Sequence, residues 1–296
     1  RTMTNHLKQR SQQQPSTIRR ASRLGTALTG VLLLTGIAAC GDQDSAPQAQ
    51  AEATVARPKS EIKLSDTAVD MPAQMPGGLV DVQLDASPST KRSHHLAFFR
   101  RNDGVSVKQL EKASDAEFES LVTYEGGNAQ VNAGASQALT FDLDPGNYTV
   151  IDFDEQQNML IGETTVGART QGAAEPTAKG TIKLGPGMKI TLPKGFDGSG
   201  VWKVVNDDPS LPHEAGVGRL APNKTSADAI AWAKDFAGPP PIETVGGFGA
   251  ISPGHQGWVD LGPKQAPGNY LVYCALPGSD GVLHLAMGMA TEFPVN

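Results

Sequence analysis

The chain has 296 residues, a formal charge of −6, 39% hydrophobic and 5% aromatic residues, and two cysteines. At about 100–200 residues per domain this allows one large domain or two ordinary ones, and 33 glycines with 21 prolines favour a turn-rich β architecture over a helical bundle. The acidic balance speaks against a nucleic-acid partner, and two cysteines build neither a disulfide scaffold nor a four-thiolate zinc site.

Residues 1–39 read as an export signal, with Lys8, Arg10, Arg19, Arg20 and Arg23 ahead of an apolar run from Leu24 to Ala39. That run is too short and too rich in small residues for a membrane span. It ends Ile37-Ala38-Ala39-Cys40, which resembles the lipobox of bacterial lipoproteins. The resemblance implies cleavage before Cys40 and acylation of its thiol. The protein is then expected on the outer face of a bacterial membrane, periplasmic or extracellular, held in the lipid bilayer by its acyl chains. The rest of the chain carries 19 basic against 31 acidic residues, which argues against tight binding to an anionic surface and leaves room for a basic protein partner.

Residues 40–60 comprise this cysteine and a polar, alanine-rich tether. Two blocks follow, 61–166 and 181–296, separated by a linker at 167–180 that resembles the tether in composition. In the first block, strands are expected at Leu79–Leu84, Thr140–Leu143 and Tyr148–Phe153, with a helix over Val107–Leu121 placing Leu110, Ala113 and Phe118 on one face. In the second, strands are expected at Val201–Val205, Gly257–Leu261, Tyr270–Cys274 and Ala290–Val295. The helix there is Ala227–Phe236, opened by Ser226 as N-cap and stopped by Pro239–Pro241.

The blocks repeat one another. Gly126-Gly127-Asn128 aligns with Gly246-Gly247-Phe248, Pro145-Gly-Asn-Tyr148 with Pro267-Gly-Asn-Tyr270, and His95 with Arg101 with His213 and Arg219. Nearly constant offsets over three segments indicate a tandem duplication. The strand density and turn spacing point to an all-β protein of two tandem sandwiches, each with a short helical insertion.

With Cys40 acylated, Cys274 has no partner in the chain, and an unpaired cysteine outside the cytoplasm calls for a reason. It closes an apolar strand, and a nine-residue loop separates it from His284, with Met289 beyond; His213 follows Asn206 across a loop. This order, His213, Cys274, His284, Met289, resembles the ligand pattern of the cupredoxins, the blue copper proteins. The resemblance implies Greek-key cupredoxin-like sandwiches and one type 1 copper ion, with two imidazoles and a thiolate in a trigonal set and Met289 as a weak axial donor. Met287 is the alternative axial residue. The nine-residue loop is longer than in small electron carriers of that family.

In the first block the counterpart of Cys274 is Asp152, and His95, with neighbouring His94, is the histidine left. No blue copper centre is expected there, and a packing or spacing role fits it. His255 reads as an exposed turn residue. Five histidines after residue 39, with none beside Cys274, are too few for copper catalysis, and no nucleophile elbow, HExxH or phosphate loop is present. The expectation is therefore a lipid-anchored copper protein that is not an enzyme, serving single-electron transfer with a redox partner protein, or copper handling. The alternative is a metal-free envelope module on the same fold.

Overall fold

The computed structural model describes residues 55–154 and 158–296; the export signal and Cys40 lie outside them. No helix among the described residues is long and apolar enough to cross a membrane.

The chain runs β1 (Lys59–Leu64), β2 (Val69–Asp70), β3 (Gln74–Asp85), β4 (His95–Arg101), α1 (Val107–Leu110), α2 (Asp115–Leu121), β5 (Val122–Gly127), β6 (Ser136–Leu143), β7 (Gly146–Phe153) and β8 (Met159–Arg169). It continues with β9 (Thr181–Gly185), β10 (Lys189–Thr191), β11 (Val201–Asn206), β12 (His213–Leu220), α3 (Ser226–Asp235), β13 (Ile242–Ile251), β14 (Gln256–Asp260), β15 (Gly268–Tyr273) and β16 (Ala290–Val295). The expected all-β architecture of two sandwiches with helical insertions is the one observed. The expected helix over Val107–Leu121 is two short helices, because Ser106 and Ser114 each cap a separate turn with Gln109 and Glu117 closing the boxes. Thr225, one residue before the expected cap, opens α3, its amide bonded to Asp228.

Pairing in β1–β8 recurs in β9–β16. β1 lies parallel to β3 as β9 does to β11, and β3 pairs with β6 as β11 does with β14. In the second layer β4 pairs with β5 and β7 as β12 does with β13 and β15, and β7 with β8 as β15 with β16. Both layers continue across the seam between the halves. β6 pairs antiparallel with β14, Thr140 opposite Trp258, and β5 meets β13, with Asn128 bridged to Phe248. Asn128 and Phe248 are the residues that the repeat aligns with each other, so the halves face one another about an approximate two-fold axis.

One buried cluster fills both halves, including Phe98, Phe141, Trp202, Phe248, Tyr270 and Phe293. Phe141 and Phe248 meet across the seam at 5.7 Å. Two smaller clusters lie on the outer face of the second layer, one under α1 and α2 (Phe99, Phe118, Phe153) and one under α3 (Ala229, Leu271, Leu285). Strands of that layer are thus covered on both faces and buried along most of their length, whereas β11 alternates half-buried with buried residues.

The repeated motifs acquire specific roles. Tyr148 and Tyr270 each donate their hydroxyl to the carbonyl four residues upstream, at 2.7 and 2.8 Å, a tyrosine corner in both halves. The glycine pairs sit where β5 and β13 cross their neighbours. A Cβ on Gly127 would stand 1.8 Å from the Leu96 carbonyl oxygen, and one on Gly247 2.3 Å from that of Ala215, with φ of 154° and 131°. Gly247→Ala should therefore cost about 2–4 kcal/mol, read as a lower urea midpoint; an unchanged midpoint would refute the close-approach account.

The linker and the tether's end are held to the molecule. β8 runs on to Arg169, the Val55 amide donates to the Gly172 carbonyl, and Arg57 pairs with Asp81 at 2.7 Å.

Candidate metal centre

His213 opens β12, Cys274 follows β15, and His284 begins the turn leading to β16. Asn206 shapes the approach to His213: its side-chain amide donates to the carbonyls of Leu211 (2.9 Å) and Ile251 (2.8 Å), and its oxygen accepts the Asp208 amide. The Cys274–His284 loop folds on itself, Gly278 N donating to Val282 O, and the His284 amide returns to Leu276 O at 2.8 Å. Cys274 N donates to Met289 O at 3.2 Å and Met289 N to His284 O at 2.9 Å, so all three residues are tied together by backbone.

These bonds converge three donor atoms. The two Nδ1 atoms of His213 and His284 lie 3.1 Å apart, and Cys274 Sγ is 3.4 Å from the latter and 4.0 Å from the former. His213 and Cys274 are wholly buried and His284 is 1% exposed. The point equidistant from three atoms so placed lies inside the triangle, about 2.1 Å from each, close to the roughly 2.0–2.3 Å bonds of first-row metals to nitrogen and sulfur. The Glu214 amide donates to Sγ at 3.4 Å, and the Glu214 carboxylate accepts the Ala275 amide at 2.8 Å, bracketing the cysteine. Asp208 Oδ2 is 3.4 Å from His213 Nε2, an electrostatic contact without hydrogen-bond alignment.

Burial lowers the pKa of both imidazoles. Burial, then the charge of His213, lowers His284 to about 4, and burial lowers His213 against the opposing pull of Asp208. Burial, reinforced by Glu214, pushes the Cys274 thiol up. Two lone-pair nitrogens and a thiol that must lose its proton form a donor set that a soft or borderline cation completes. Met289 is fully buried and bonded to the site through its backbone, while Met287, the alternative, is 40% exposed.

Register corrects one equivalence. Arg100 lies opposite Tyr148 as Arg219 lies opposite Tyr270, so the counterpart of His213 is His94, and that of Glu214 is His95. A one-residue shift exchanges the faces of a strand. His94 is accordingly buried, its Nδ1 2.8 Å from Asp152 Oδ2, whereas the His95 side chain is 40% exposed. Arg92, which the sequence did not single out, lodges beside this pair. Its guanidinium reaches Asp152 Oδ2 (3.1 Å), Asp154 Oδ2 (2.9 Å) and the carbonyls of Asp152 (2.8 Å) and Asn158 (2.7 Å). Asp66 orders the loop that delivers it, accepting the amides of Thr90, Lys91 and Arg92.

His255 is not the exposed turn residue expected. Its side chain is 23% exposed and its Nδ1 lies 3.3 Å from Glu125 Oε2, a buried carboxylate of the other half whose second oxygen takes Arg100 at 2.7 Å. The Glu125 contact raises the His255 pKa above 6.5. A raised folded-state pKa contributes stability that is complete below 6.5 and lost as pH rises through the folded value. The melting temperature should thus fall across that window by more in the wild type than in His255→Asn; equal pH profiles would refute the contact's contribution.

Neither the protein-family models nor the curated proteins give a match to this chain. Among solved structures it is similar to reduced auracyanin from the photosynthetic bacterium Roseiflexus castenholzii (21% identity, TM-score 0.27, over 38% of this chain and 100% of that one). It is also similar to auracyanin A, described as a "blue" copper protein, from Chloroflexus aurantiacus (14%, 0.25, 37% and 98%). A laccase from Botrytis aclada is similar over a longer stretch (9%, 0.24, 84% and 55%).

Proposed function

We propose that the second half binds one copper ion through His213 Nδ1, Cys274 Sγ and His284 Nδ1, with Met289 as the weak fourth donor, for single-electron transfer or copper handling. The protein does this on the outer face of a bacterial membrane, anchored by acylated Cys40. The observation that supports the reading is the convergence of the two Nδ1 atoms and Sγ in a fully buried site. Copper held by two imidazoles and a thiolate supplies one-electron chemistry without a large change of ligands.

The chain's own part is positioning and exclusion of water. Backbone bonds among Cys274, Leu276, His284 and Met289 hold the loop that carries two of the three donors. The Glu214 amide offers a hydrogen bond to the thiolate that forms when Cys274 releases its proton. Burial of all three donors removes competing water and protons. The acidic exterior suits a basic redox partner.

Adding Cu(II) to the purified chain should produce an intense visible thiolate-to-copper band with one copper per chain by elemental analysis. A colourless, copper-free protein overturns the reading in favour of a metal-free envelope module. Cu(I) binding without reversible oxidation would assign copper handling over electron transfer.

A further inference from the structure

A second pair of polar side chains lies at the seam and shares Glu214 with the surroundings of the cluster just described, though neither belongs to its three donors. His95 Nε2, from the first half, stands 3.8 Å from Glu214 Oε2, from the second; the imidazole is 40% exposed and the carboxylate 4%. Glu214 Oε1 is satisfied by the Ala275 amide at 2.8 Å, but Oε2 is buried and accepts no hydrogen bond. A buried carboxylate oxygen without a donor is unfavourable, and 3.8 Å is too long for His95 to supply one. The separation does fit two ligands of one ion: atoms each about 2.0–2.2 Å from a shared metal stand up to roughly 4 Å apart.

We propose that Glu214 Oε2 and His95 Nε2 hold a second, divalent first-row transition metal ion at the seam. One imidazole and one carboxylate suit Zn(II) or Cu(II), and the ion's remaining positions face the solvent that reaches His95 and are filled by water. With no thiolate and two protein ligands, this ion exchanges more readily than one at Cys274. The proposal gives the first half a chemical contribution, since the register that puts His94 inside the sandwich turns His95 toward Glu214. It stands on these two side chains and does not require copper at the other site.

The test is equilibrium dialysis of Zn(II) against the full chain carrying Cys274→Ala and His284→Ala, which removes two donors of the first site. One zinc per chain is expected, bound at least tenfold more weakly when His95→Ala or Glu214→Gln is added, with circular dichroism confirming the fold. In the unaltered chain, which needs no core substitution, the same ion appears as a second equivalent of zinc that His95→Ala removes while the first remains. Absence of zinc from the double variant, or zinc that persists in both added variants, overturns the proposal and leaves the copper reading intact. A wild-type chain that stays colourless with Cu(II) but binds zinc through His95 does the reverse.

Discussion

Cys274→Ala should abolish the visible copper band and lower copper affinity by more than about 100-fold, since loss of outer partners alone commonly costs 10–100-fold at metal sites. Cys274 is the sole anionic donor that the cluster can offer, and its Sγ closes the triangle at 3.4 and 4.0 Å from the two histidine nitrogens. The fold should survive, because the substitution deletes one buried sulfur from a position pinned by backbone bonds, at a cost of about 1 kcal/mol. Absorption titration, dialysis and a thermal melt separate these effects. A variant that keeps the band, or that loses it only by unfolding, refutes Cys274 as the thiolate donor. His284→Ala is expected to weaken binding while retaining thiolate-to-copper absorption, shifted in energy, because the sulfur remains.

The second large effect is on stability. Arg92→Ala should destabilise the protein by about 3–5 kcal/mol, the usual consequence of removing one partner of a buried ion pair. The Asp152 side chain is fully buried and its Oδ2 faces both Arg92 and His94. Asp154, 11% exposed, loses its guanidinium partner as well. The melting temperature should drop by roughly ten degrees. A drop of a degree or two in Arg92→Ala would mean that water or another cation already compensates Asp152. The contrast with the other half is chemical: the first half closes this position with the Arg92 guanidinium beside Asp152, and the second leaves a thiol and two imidazoles there.

The copper candidate was legible in the sequence because its donors, Cys274 and His284, flank one loop, and because Asn206 and His213 stand at a recognisable interval upstream. The central strands of the second layer were less legible. β5 and β13 carry Gly126-Gly127 and Gly246-Gly247, which marked the repeat without predicting a strand; Gly127 and Gly247 let the strands pass close to Leu96 and Ala215. His94 was displaced by its neighbour because an offset between repeats carries no register; the pairing of Arg100 with Tyr148 supplies it. Arg92 gave no signal, since its partners lie about sixty residues away in sequence. Nor did His255, whose carboxylate comes from the opposite half. The Pro-Gly-Asn-Tyr segments aligned the two blocks, and the structure shows that their tyrosine closes a corner in both halves.

The seam has a consequence for how the molecule can be divided. β6 and β14 in one layer, and β5 and β13 in the other, would each be an edge strand in an isolated half, with unpaired amides and Phe141 or Phe248 exposed beside them. Because the halves meet about an approximate two-fold axis, the edge bared by cutting in the linker is nearly self-complementary, and two copies of one half can rebuild the missing contact with each other. Covalent linkage therefore makes the pairing of unlike halves intramolecular, and so ensures that the surface beside Cys274 meets His95 and never a second Glu214.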